Sequence, residues 1–134
     1  MKIFALPLLA ALTLTAACAP QDSSADMMGE TASGVVIDMT PGLTFDAQTV
    51  TIAAGETVTF RNTSDFAHTV STRPSNAAQE ADTELPAGAT SFDSGSIAAG
   101  GTFTQTFTVP GTYRYFCDPH HGAGMTGTII VTAS

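Results

Sequence analysis

Between Tyr113 and Met125 the chain reads Tyr-Arg-Tyr-Phe-Cys117-Asp-Pro-His120-His121-Gly-Ala-Gly-Met125, so a thiolate, an imidazole and a thioether fall within nine residues. Soft sulfur beside imidazole selects copper among the common metals. Two His, one Cys and a weak axial Met form the donor set of copper sites that pass electrons. The second imidazole lies upstream, in Phe66-Ala67-His68-Thr69-Val70, on what reads as a separate strand. The candidate metal ligands are therefore His68, Cys117, His120 and Met125. With three His and five Met among 134 residues, chance places both types at these offsets from a given Cys about once in a thousand. Taken singly, His68 reads as a core histidine and Met125 as packing; the joint spacing favours the metal.

Such a set needs elements that hold it. Tyr113, Tyr115 and Cys117 alternate with Arg114 and Phe116, which puts the Cys on the core-facing side at the end of a strand. Pro119 then turns the chain, and Gly122 and Gly124 allow a tight loop that returns Met125 to the same point. Period-two alternation recurs elsewhere: Val35, Ile37 and Met39; Val50 and Ile52; Val58 and Phe60; Phe103, Gln105, Phe107 and Val109 against four Thr; Ile129 and Val131. Turns at Pro41-Gly42, Ala54-Gly55, Gly100-Gly101 and Pro110-Gly111 separate these runs. The pattern predicts an all-β fold, a single-domain antiparallel Greek-key β-sandwich. Residues 73–91 break the alternation and carry Glu80, Asp82 and Glu84, with a helical turn or two expected between Asn76 and Leu85.

The run from Cys117 to Met125, followed by Thr126-Gly127-Thr128, resembles the copper loop of the plastocyanin-like cupredoxins, and its length matches. Phe92-Asp93-Ser94-Gly95 and Val109-Pro110-Gly111-Thr112-Tyr113 extend the resemblance, which runs from about Gly34 to the C-terminus. It implies a cupredoxin-like β-sandwich with one type 1 copper per chain cycling between Cu(II) and Cu(I), an electron carrier rather than an enzyme. The setting of Tyr113, two residues after Pro110-Gly111, resembles a tyrosine corner, in which the hydroxyl bonds to nearby backbone. Thr69 stands where the family commonly has an Asn that tethers the two ligand segments. Phe116 stands where plastocyanins have a Tyr. His121 is expected as an exposed neighbour of the site and not as a ligand.

Composition narrows the alternatives. Four Lys and Arg against 12 Asp and Glu give a net charge of −8, which argues against nucleic acid and for redox partners with a basic docking surface. Multicopper oxidases and copper nitrite reductases need further His-rich centres, which three His cannot build. Copper storage or delivery is the main competing function, and zinc accepts the same Cys and His donors. A monomer is expected.

Residues 1–17 have the layout of a lipoprotein-type signal peptide, with Lys2 ahead of the apolar run from Ile3 to Leu14, too short to span a bilayer. Leu14-Thr15-Ala16-Ala17-Cys18 resembles a bacterial lipobox, which makes Cys18 the candidate lipidation site and membrane anchor. The competing reading, cleavage after Ala19, places Pro20 directly after the scissile bond. Residues 18–33 read as a flexible tether, residues 34–134 as the cupredoxin domain, and the bacterial cell envelope, periplasmic or otherwise extracytoplasmic, as the expected location.

Overall fold

The alternating runs become six strands in a computed structural model that describes residues 34–134. The expected signal segment, Cys18 and the whole of the tether lie outside the described residues. The strands are β1 (Val35–Met39), β2 (Thr49–Ala53), β3 (Thr57–Asn62), β4 (Thr102–Thr106), β5 (Gly111–Phe116) and β6 (Thr126–Thr132). They form two three-stranded sheets, in the orders β1-β3-β4 and β2-β6-β5. The apolar residues of each alternation meet between the sheets: Ile37, Met39, Val58 and Phe60 from one, Ile52, Tyr113, Tyr115, Ile129 and Val131 from the other. Tyr115 is central, edge-on to Phe45 at 4.8 Å and to Phe60 at 5.3 Å between ring centroids. Opposite it on β6 stands Gly127, where any side chain would collide with the Tyr115 ring.

The expected all-β sandwich is present, and within it the strand pairing is mixed rather than antiparallel throughout. β3–β4 and β5–β6 are antiparallel, but β1–β3 and β2–β6 are parallel. The chain leaves β1, forms β2 in the opposite sheet and returns as β3 beside β1, which gives the parallel pair the long connection it requires. Alternation reports which face a strand buries and says nothing about its neighbour's direction.

Between β3 and β4 a short helix, α1 (Ala77–Ala81), occupies the expected place. Asn76 caps it by accepting Gln79 N–H at 3.0 Å. The tyrosine corner is present, with Tyr113 Oη donating to Val109 O at 2.8 Å. Phe116 faces away from the sandwich core yet is fully buried. The His121 ring stands edge-on to it at 5.6 Å, and the segment around Ser71 pairs with the free edge of β5 beside it, Ser71 N to Phe116 O at 2.9 Å and Phe116 N to Ser71 O at 3.0 Å. The C-terminal end of β5 is therefore paired along both edges, by β6 and by the Ser71 segment.

Candidate metal centre

Cys117 follows the last residue of β5 and has no solvent exposure. The loop after it is closed by its own backbone. Cys117 N–H donates to Met125 O at 2.9 Å, Ala123 N–H to His120 O at 3.0 Å and Gly124 N–H to His121 O at 2.8 Å, forming a single 3₁₀ turn over His121–Ala123. Gly124 ends that turn with φ +82°, a conformation that favours glycine. Met125 thus returns beside Cys117, fully buried.

His68 arrives from the connection between β3 and α1 and is also fully buried. Two backbone bonds with Ile97 fix its main chain, His68 N to Ile97 O at 3.1 Å and Ile97 N to His68 O at 2.7 Å. Its Nε2 lies 2.8 Å from Ser64 Oγ. Thr69 joins the two ligand segments: its N–H points at Cys117 Sγ at 3.4 Å, and its hydroxyl accepts Asp118 N–H at 2.7 Å. The tether that the family commonly builds from an Asn is made here by a threonine.

One donor atom from each of His68, Cys117 and His120 lies within 4.8 Å of the others. His68 Nδ1 is 3.6 Å and His120 Nδ1 3.5 Å from Cys117 Sγ, and the two nitrogens are 3.0 Å apart. Metal bonds of about 2.0 Å to nitrogen and 2.3 Å to sulfur at a tetrahedral angle set N and S about 3.5 Å apart, so the donors fit a single ion. Burial lowers the His68 pKa, with the His120 charge adding to the effect. Burial pushes the Cys117 thiol up, opposed by hydrogen bonds from Thr69 and His120 N–H. Both shifts leave the uncharged forms favoured without a cation; a coordinated thiol, by contrast, is deprotonated outright.

His120 is the donor that reaches the surface. Phe66, 52% exposed, stands edge-on to it at 6.3 Å, and Pro119, Gly122 and Ala123 are exposed around it. His121 corrects its expectation. Its side chain is only 15% exposed, with Nε2 2.9 Å from Asp82 Oδ2 and its ring edge-on to Phe116 at 5.6 Å. Asp82 also receives Arg114 at 3.3 Å. Of the three acidic residues picked out from sequence, Asp82 is therefore occupied internally, while Glu80 and Glu84 are exposed. Four residues escaped sequence reading, namely Asn62, Ser64 and the pair Gln79–Asp118, whose side chains meet at 2.6 Å. Single polar residues at the end of a strand, in a short helix or in a loop carry no spacing signal that could have marked them.

A family model described as copper binding proteins of the plastocyanin/azurin family matches residues 31–132. The chain belongs to that family. Plastocyanin from Scenedesmus fuscus is 43% identical over 93 residues, covering 66% of this chain and 87% of that protein. Chloroplastic plastocyanin from Tetradesmus obliquus is 42% identical over 93 residues, covering 66% of this chain and 59% of the relative. Among solved structures, amicyanin from Paracoccus versutus aligns with a TM-score of 0.57 at 29% identity, over 75% of this chain and 83% of that one. This cupredoxin thus belongs among plastocyanin-like copper proteins, a family of electron carriers rather than enzymes. Its cofactor is copper, in a type 1-like site.

Proposed function

We propose that this cupredoxin carries single electrons between redox proteins through one copper cycling between Cu(II) and Cu(I), ligated by His68, Cys117 and His120 with Met125 as weak axial donor. The observation that carries the reading is the convergence of three donor atoms within 4.8 Å, at a point where His68, Cys117 and Met125 have no exposure. Donors held by a rigid frame change little between oxidation states, which lowers the cost of each transfer. Copper delivery would call for an open, exchangeable site, and the burial of three of the four ligands argues against it. The visible spectrum of the purified copper-loaded protein tests this, with an intense thiolate-to-copper band expected at one copper per chain. A colourless protein would sink the reading.

The electron crosses at His120, whose surroundings are apolar and exposed, while Glu80 and Glu84 steer a partner with a basic surface. Neutralising both acids should slow bimolecular transfer at low salt and matter little at high salt. A bulky residue at Ala123 should slow it at every salt concentration. Equal loss at all ionic strengths in the acidic variant, with normal transfer in the Ala123 variant, would reject the His120 route. Cys18 is the proposed lipid anchor that holds this monomer in the bacterial envelope, and a Cys18→Ser variant should be released as a soluble blue protein. A wild type found wholly soluble in its native host would remove the anchor.

A further inference from the structure

The polar residues beneath His68 form hydrogen bonds that can run in only one direction. Asn62, 1% exposed, sets its side-chain nitrogen against two carbonyls, Phe66 O at 2.6 Å and Ile97 O at 2.9 Å. A carbonyl has no proton to give, so both amide hydrogens are committed there and the nitrogen end of the amide is identified. The other end, Oδ1, is then an acceptor, and it receives Ser64 N–H at 2.9 Å and Ser64 Oγ at 2.7 Å. Reversing the amide would turn its oxygen onto two carbonyl oxygens and its NH2 onto the Ser64 N–H.

Ser64 has a single hydroxyl proton. Once it is donated to Asn62 Oδ1, Ser64 Oγ offers only lone pairs to its remaining neighbours, Phe66 N–H at 3.2 Å and His68 Nε2 at 2.8 Å. The hydroxyl's other acceptor, Phe66 O at 3.2 Å, leads to the same result. The proton in the Ser64–His68 bond therefore sits on Nε2. A neutral imidazole protonated there has its lone pair on Nδ1. Nδ1 is the atom that faces Cys117 Sγ and His120 Nδ1.

We propose that Asn62 and Ser64 are positioning residues that hold His68 in its Nε2–H tautomer, so that the Nδ1 lone pair faces the metal centre before any metal arrives. This rests on the copper-site reading above. An acceptor on the far nitrogen of a ligating imidazole fixes the ring and makes it a stronger donor, and loss of such partners typically weakens metal binding by 10- to 100-fold. A stronger nitrogen donor favours Cu(II), so the relay also holds the reduction potential down.

Two measurements test this. In the wild-type apo protein at neutral pH, long-range proton–nitrogen correlation spectra of His68 should show a protonated Nε2 and a bare Nδ1; the opposite tautomer overturns the proposal. That readout involves no metal, so it is separate from the charge-transfer band, whose absence would instead overturn the ligand assignment. In the loaded protein, Ser64→Ala should weaken Cu(II) binding about 10-fold and raise the potential, and Ser64→Thr, which keeps the hydroxyl, should restore both. Unchanged affinity and potential in a folded Ser64→Ala variant overturn the proposal. If that variant does not fold, the wild-type tautomer alone decides.

Discussion

The two segments that supply the ligands are built on opposite plans. The downstream one, from Cys117 to Met125, carries three of the four proposed ligands and closes on itself through main-chain bonds within one loop. The upstream one contributes His68 alone and is held by side chains and by distant partners: Ser64 and Asn62 beneath the ring, Ile97 across a backbone bridge, and the Thr69 hydroxyl reaching Asp118 of the downstream loop. The contrast shows that a ligand set can be half local and half long-range. The local half depends on residue spacing, the long-range half on a network of buried polar contacts.

Substitutions can break each half separately. The largest effect is expected at the heart of the downstream loop, where Cys117→Ser removes the thiolate and should abolish the charge-transfer band in the visible spectrum; a variant that stayed blue would refute the assignment of Cys117. The joint between the halves comes next. Thr69→Val keeps the N–H aimed at Cys117 Sγ but leaves Asp118 N–H without its acceptor. A loss of about 1 kcal/mol in denaturant unfolding is expected, and unchanged stability would mean that Thr69 does not tie the segments together.

The upstream half can also be probed by pH in the apo protein. Burial depresses the His68 pKa below its ordinary value. Below about pH 6.5 the unfolded chain takes up a proton that the folded one refuses, so the stability this residue contributes is present above that point and lost as pH falls. The melting temperature of the apo protein should drop on acidification more steeply than that of His68→Gln, and parallel curves would contradict a shielded His68. The smallest change is expected from Met125→Leu, which should leave copper bound and raise the reduction potential, because a weak electron donor to the metal is lost. An unaltered potential would remove Met125 from the axial position.

The same contrast explains what could be read from the chain. Cys117, His120 and Met125 were legible because a nine-residue loop preserves in space the spacing it has in sequence. The faces of β1, β3 and β6 were legible because their alternation is regular. The parallel ladders were not, since side-chain period carries no information about strand direction. Alternation puts Phe116 on the outer side of β5, and its burial there is set by three-dimensional packing that the period of the strand does not report. The sequence points to an exposed His121, because nothing near it in the chain announces Asp82 as its partner. Asn62 and Ser64 sit in an Asn-Thr-Ser-Asp stretch with the composition of any polar loop, and only their hydrogen-bond directions single them out.

Closure of the 117–125 loop through main-chain atoms separates the loop's geometry from the identity of its outward side chains. Pro119, Gly122 and Ala123 are exposed and contribute no side-chain hydrogen bond to the Cys117–Met125 and His120–Ala123 closures. The rim around His120 can therefore be rewritten residue by residue, to suit one docking protein or another, while the spacing of the metal donors behind it stays the same. In the proposed reading recognition and redox chemistry share these nine residues, yet they can be altered independently.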